Sequence, residues 1–232
     1  MSYNKRLDGR KFDEVRKMHA KVGIIKRADG SAMFQIGDTI ALAAVYGPRE
    51  LHPKFLQNPE RGVLRCNYDM ASFSVTERKK PGPTRRSTEI SLVTEKALAS
   101  VIDLDLFPNT VIDVFIVITQ ANAGTRCAGI SAAAMALAHA GIPMKDMVAA
   151  ISVGKVGDKI VIDLDKEEED FEEGATDIPV AMTARGKEVT LLQLDGDVTK
   201  DEVMEAIKVA KKGCDEIHKI QTKALKEIYK NE

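Results

Sequence analysis

The sequence predicts an α+β fold, mixed sheets with packed helices. Three observations carry that prediction: a strand–turn–strand pattern used twice, a nearly continuous β-branched run, and helical periodicity between and after them. The first strand pair is Ser31 to Ile36 and Thr39 to Val45, with Gly37-Asp38 between them as a tight hairpin turn. Residues 88–102 place Ile90, Val93, Ala97, Leu98, Val101 and Ile102 at helical spacing. Val111 to Ile118 (VIDVFIVI) then predicts a strand covered on both faces. Residues 128–140 (AGISAAAMALAHA) predict a helix of small side chains that lets a sheet approach its backbone, ended by Gly141. A second β region over 150–195 repeats the hairpin pattern, with Ile178 to Thr183 and Glu188 to Leu194 flanking Arg185-Gly186-Lys187. The last helix, about 200–229, opens with a Thr199/Glu202 capping box. Its apolar stripe, Val203, Ile207, Ala210, Cys214, Ile217, Ala224 and Ile228, is expected to pack on the chain's own sheet rather than form a coiled-coil seam. Residues 1–232 read as a single domain.

Length and charge exclude several classes. At 232 residues the chain fits one large domain, or two small units sharing a core. Lys plus Arg is 34 against 35 for Asp plus Glu, so a basic coat for nucleic acid is excluded while a local basic patch is not. No apolar run reaches the roughly 18 residues of a membrane span. The polar start MSYNKRLDGRKFDEVRK does not read as a signal peptide. The expectation is a soluble cytoplasmic protein without membrane contact. Cys66, Cys127 and Cys214 form no CxxC pair, and the four histidines are scattered, so any metal would be a hard, carboxylate-bound ion.

Three segments could carry chemistry. Gly124-Thr125-Arg126 lies between a predicted strand and a predicted helix. Free backbone N–H groups and the positive end of the helix dipole would favour an anion there, beside a hydroxyl and a guanidinium fork. It is not a Walker loop, because GxxxxGK[ST] is absent; a capped helix start with an exposed arginine is the bland alternative. The segment 78–86 holds five cations and no acid, and Pro81 and Pro83 keep it extended. It reads as a solvated loop or as a seat for a polyanion, with Arg85 and Arg86 hanging at a second positive helix end. Between 163 and 173, eight carboxylates (Asp163, Asp165, Glu167, Glu168, Glu169, Asp170, Glu172 and Glu173) repel one another, and most are expected in solvent. Asp177 precedes the strand IPVAM and would be held rigidly. Asp170 and Asp177 could converge across the loop containing Gly174, to bind magnesium or manganese or act as acid and base. Together these are the ingredients of phosphoryl transfer.

In order along the chain, Arg6-Leu7-Asp8-Gly9-Arg10, GSAMFQIGDTIALAAVYGPRE (30–50), TRRSTEI (84–90), QANAGTR (120–126) and GATDIPVAM (174–182) resemble the RNase PH family of phosphate-dependent 3′→5′ exoribonucleases. Residues 51–79 and the C-terminal helix resemble the catalytic ring subunit of the archaeal exosome. The resemblance implies an RNase PH-like fold of the ribosomal protein S5 domain 2-like type. It also implies a reaction in which inorganic phosphate releases nucleoside diphosphates from single-stranded RNA, with tailing as the reverse. It assigns phosphate binding to Gly124, Thr125 and Arg126, and RNA binding to Arg85 and Arg86. A weaker likeness assigns channel-facing RNA contacts to Arg61 and Arg65. Asp170 and Asp177 become the acids that bind Mg2+ or Mn2+ or protonate the leaving 3′-oxygen. The family spaces these acids six apart and this chain seven, so either the loop 171–173 has one extra residue or a carboxylate such as Glu169 takes the first place.

The implied partners are a related non-catalytic ring subunit, forming a hexamer of three heterodimers, and RNA-binding cap proteins. The chain alone is expected to be poorly active, because the neighbour supplies half of the RNA seat. Two other readings stay open at this level: a scaffold subunit that threads RNA, and a homohexameric tRNA-trimming enzyme.

Overall fold

The computed structural model describes Tyr3, residues 5–171, residues 174–228 and Lys230. Glu172, Glu173 and the expected helix end at Tyr229 lie outside the described residues. The first sheet is built from β1 (Met18–Val22), β2 (Gly30–Ile36), β3 (Thr39–Glu50), β4 (Val63–Met70) and β5 (Thr110–Gln120). Its order is β1-β2-β3-β5-β4. All pairs are antiparallel except β4–β5, whose parallel pairing requires a crossover, here through helix α1 (Arg85–Ala99). The second sheet, order β7-β6-β8-β9, is antiparallel: β6 (Val148–Val156), β7 (Lys159–Ile162), β8 (Ala175–Thr183) and β9 (Val189–Leu192).

Helix α2 (Thr125–His139) lies between the sheets, touching β2, β3 and β5 on one side and β6 and β8 on the other. It is buried almost all round, which explains its run of alanines: a larger residue has nowhere to go. A Cβ on Gly30 of β2 would stand 2.3 Å from the Ala136 carbonyl oxygen, so strand and helix backbones are in direct contact. The helix closes through Gly141, whose φ of 74° is left-handed. Helix α4 (Lys200–Ile228) opens on the Thr199/Glu202 box and packs on β6, β7 and β8 and on β1, so it spans both sheets instead of seeking a coiled-coil partner. One contiguous apolar core runs through both sheets and three helices.

Two expectations change. Helix α1 begins at Arg85 rather than 88, because Thr84 caps it in a box with Ser87 in place of the usual Glu or Gln. Strand β5 is covered on one face only: Phe115 and Val117 are 42% and 39% exposed. Helix α2 packs on the other face, and among the described residues no element covers the second.

Candidate active site

The phosphate-type turn is built by the exit of β5. Ala123 and Gly124 both take left-handed φ, 58° and 63°. For alanine that conformation costs about 1 kcal/mol, so the turn must be held from outside. Thr39, buried in β3, holds it twice: its hydroxyl donates to the Ala123 carbonyl at 2.7 Å and accepts from the Asn122 N–H at 2.9 Å. The first backbone bond of α2 runs from Ala128 N–H to the Gly124 carbonyl at 3.0 Å. The N–H groups of Thr125, Arg126 and Cys127 therefore have no intrahelical acceptor. Arg126 reaches back over this end, bonded through Nη1 to Gln193, which in turn donates to Glu89 at 3.0 Å. Its Nε is buried without a partner among the described residues, an open donor.

Facing the turn is the start of the second sheet. Asp177 sits in β8, its backbone pinned to Asp195 by two bonds of 3.1 and 3.0 Å, and it accepts a hydrogen bond from the Ser152 hydroxyl of β6. Burial raises its pKa; the Ser152 bond and the nearby Arg126 and Arg86 only partly oppose that. Glu169 is raised too, by burial first and then by the charge of Asp177. A cleft of about 460 Å³ is lined by Gly124, Thr125, Arg126, Arg86, Glu169 and Asp177, among others. A neighbouring hollow of about 540 Å³ continues it past Arg85 and Arg86 to Asp195.

The acidic run is less solvated than expected. Asp165 caps the short helix α3 (Lys166–Glu169) in a box with Glu168. Glu168 is wholly buried, and it accepts from Arg6 Nε and Nη2 at 2.8 and 2.7 Å and from the Tyr3 hydroxyl at 2.6 Å. Asp163 is buried as well and is paired with Arg16 and Arg10. The N-terminal arginines fold onto this segment and cancel the repulsion. Only the sequence positions of Arg6, Arg10 and Arg16 hint at that.

The turn, Arg85, Arg86 and Asp177 come together. Asp170 does not join them: its carboxylate is 63% exposed and paired with Lys166 at 2.7 Å, while Glu169 takes the place beside Asp177. Arg61 and Arg65 lie toward the far end of β4, whose last residue Met70 lines the cleft. At about 3.3 Å per residue Arg65 is roughly 16 Å from it. Arg65 forms a fork with Asp113 at 2.8 and 3.0 Å.

Among the described residues no group of three potential ligands converges for a metal. The two adjacent carboxylates, Asp177 and Glu169, still suit a hard divalent ion, which takes one or two carboxylates and keeps its waters. Their mutual repulsion is what such an ion would relieve.

A helix-end anion site facing two half-buried carboxylates, with an arginine pair at the mouth, suits an enzyme that handles phosphate groups. The chain belongs to the RNase PH 3′ exoribonuclease family: residues 14–143 match its domain 1 and residues 146–213 its domain 2. It is accordingly a phosphate-dependent 3′→5′ exoribonuclease. It is 56% identical over 225 residues to the exosome complex component Rrp41 of Thermococcus kodakarensis, covering 97% of this chain and 90% of that one. Identity to the Rrp41 of Methanopyrus kandleri is 53% over 224 residues, covering 97% and 93%. The fold superposes on rice Rrp46 with a TM-score of 0.85 at 25% identity, covering 95% of this chain and all of that one. It also matches a chain of the Archaeoglobus fulgidus exosome with RNA bound to the active site, TM-score 0.79 at 23% identity, covering 93% and 92%; that likeness concerns the fold.

Proposed function

We propose that this chain is the catalytic ring subunit of an archaeal-type exosome, degrading single-stranded RNA from its 3′ end and able to add tails in reverse. The observation that carries this reading is the pairing, across one cleft, of a helix-end anion site with a carboxyl group whose burial keeps it protonated longer than usual.

Inorganic phosphate is already an anion at neutral pH, so it needs charge neutralisation rather than a base. The Thr125 and Arg126 amides, the Thr125 hydroxyl and the open Arg126 Nε supply it. Arg85 and Arg86, exposed on the first turn of α1, hold the RNA backbone so that the last phosphodiester lies over the turn. A phosphate oxygen forms a bond to the terminal phosphorus while the bond to the penultimate 3′-oxygen breaks. That oxygen leaves with the electron pair and takes the proton of Asp177. The product is a nucleoside 5′-diphosphate. Contacts to phosphates and 2′-hydroxyls make the reaction indifferent to base sequence. In the alternative arrangement, with Asp177 ionised, it and a carboxylate at the end of α3 would hold a magnesium or manganese ion, which would neutralise the leaving oxygen in place of that proton.

Arg61 and Arg65, away from the cleft, suit guiding RNA toward it along a channel. The related non-catalytic subunit and the cap proteins complete that path, and the cytoplasm is the proposed location. Among the described residues no helix is long and apolar enough to cross a membrane. We take residues 1–232 as one folding unit, a reading supported by the core shared between the two sheets.

The test is release of nucleoside diphosphate from single-stranded RNA, by the chain alone and with its ring partner, with and without inorganic phosphate. Release should need both phosphate and partner and fall by about 10²-fold or more in Asp177→Asn, the scale of losing a general acid. A ring that binds RNA and never releases diphosphate would make the chain a scaffold.

A further inference from the structure

Arg16 precedes β1 and does not line the cleft, yet it touches both of its walls. Its Nη1 donates to the carbonyl of Asn122, the first residue of the phosphate turn. Its Nε and Nη2 fork onto the Asp163 carboxylate at 2.9 and 2.7 Å, and its own backbone N–H adds a third bond to that group at 2.8 Å. The side chain is only 9% exposed and that of Asp163 2%. Burial opposes the charge on Arg16, but the bonds to Asp163 outweigh it and hold the guanidinium firmly charged.

Asp163 leads on into the opposite wall. Its N–H donates to the Ser152 carbonyl at 2.7 Å, and the Ser152 hydroxyl donates to Asp177. Two residues later Asp165 caps α3, which carries Glu169. One guanidinium thus ties the turn after β5 in the first sheet to the segment after β7 in the second. The turn has reason to need it, because Ala123 and Gly124 are both left-handed and a Cβ on Gly124 would already stand 3.4 Å from Arg16 Nη2.

We propose that Arg16, with Asp163, is a positioning residue that sets the separation between the phosphate turn and the proton-donating carboxyl. The proposal rests on the phosphorolytic reading of the cleft. Arg16 touches no reacting atom, so losing its fork should weaken the seating of phosphate while leaving RNA, held by Arg85 and Arg86, bound as before.

The experiment uses the assembled ring with Arg16→Lys, Asp163→Asn, the double variant and Arg126→Ala. Lysine keeps the charge but cannot reach Asn122 and Asp163 together. Asparagine suits Asp163 because that residue has a left-handed φ of 53°, which asparagine tolerates well. Each single variant should raise the KM for inorganic phosphate by about 10-fold or more, as expected for misplacement near 1 Å, with RNA affinity within about twofold. The double variant should cost little more than the larger single one, because both residues form one strut. Binding of inorganic phosphate to the RNA-free ring, followed by titration calorimetry, should weaken in parallel. A folded, assembled Asp163→Asn ring with the wild-type phosphate KM would overturn the proposal, and this variant decides even where Arg16→Lys does not assemble. Loss of phosphate binding in Arg126→Ala without any in the strut variants would sink the strut alone. A wild-type phosphate KM in Arg126→Ala would sink the phosphate seat itself.

Discussion

Asp177 shows how neighbours decide what a carboxylate can do. Burial raises its pKa, and the hydroxyl of Ser152 works in the opposite direction by stabilising the ionised form. As the proton donor in phosphorolysis it must be neutral, so kcat should fall as pH rises through that raised pKa. In Ser152→Ala the ionised form loses a hydrogen bond, the pKa rises further, and the alkaline limb of the kcat profile should move to higher pH. A limb that stays in place, or moves down, would remove Asp177 from that role. Two carboxylates at the end of α3 compete for the place of the second acid. Asp170, seven positions before Asp177 where the family spacing is six, is tethered by an exposed pair with Lys166, worth about 0.5 kcal/mol. Glu169 already lies in the cleft. Asp170→Asn and Glu169→Gln, assayed side by side at saturating phosphate and RNA, assign the role. The one that loses about 10²-fold in kcat is the acid, and the other should lose less than about 10-fold.

At the scale of elements, α3 is a four-residue helix that could not stand alone, since isolated helices need about 12 residues or more to be even marginal. It is held by the Arg6–Glu168 pair, both side chains fully buried. Burial alone would raise the Glu168 pKa, but the hydrogen bonds from Arg6 and Tyr3 outweigh burial and hold it below its usual range. A carboxylate depressed in the folded state adds stability that is fully present above its unfolded pKa of about 4.3 and is lost as pH falls through the folded value. The urea midpoint of the wild type should therefore drop steeply on acidification in that window. Glu168→Ala, which strands a buried guanidinium, should cost about 3–5 kcal/mol at neutral pH and flatten the acid drop. An unchanged pH dependence in the variant would place the acid sensitivity elsewhere.

At the scale of the molecule, the outer face of the first sheet leaves apolar side chains partly exposed. Met33, Leu42 and Val117 stand in one row across β2, β3 and β5, and Phe115 packs edge-on against Tyr46 at 5.9 Å beside them. A row of this kind marks a surface that another protein covers, and the ring subunit is the occupant the proposed function requires. Val117→Lys should change the stability of the isolated chain by no more than about 0.5 kcal/mol, because the side chain already faces water. Mixed with the ring partner it should fail to reach the hexamer mass in solution. Full assembly of that variant would move the interface to another face.

Local patterns were enough for much of the fold. The Gly37-Asp38 hairpin, the alanine-rich helix closed at Gly141, the Thr199 capping box and the strand at 111–118 are all visible as periodicity and turn chemistry, because each depends on neighbours within a few residues. The helix starts beside Thr125 and at Arg85-Arg86 are local too, although the turn before Thr125 is held by the distant Thr39. The acidic segment could not be read in that way. Whether Asp163, Glu168 and Glu169 repel one another in water or lie buried depends on Arg6, Arg10 and Arg16, roughly 150 residues away. Likewise, nothing local in VIDVFIVI says that its second face is partly exposed. Sequence alone determined the elements, the family resemblance and the types of chemistry available. Only the tertiary structure decided which carboxylates are buried, which one faces Asp177 and what braces the turn, because desolvation and charge pairing act between segments that the chain brings together from opposite ends.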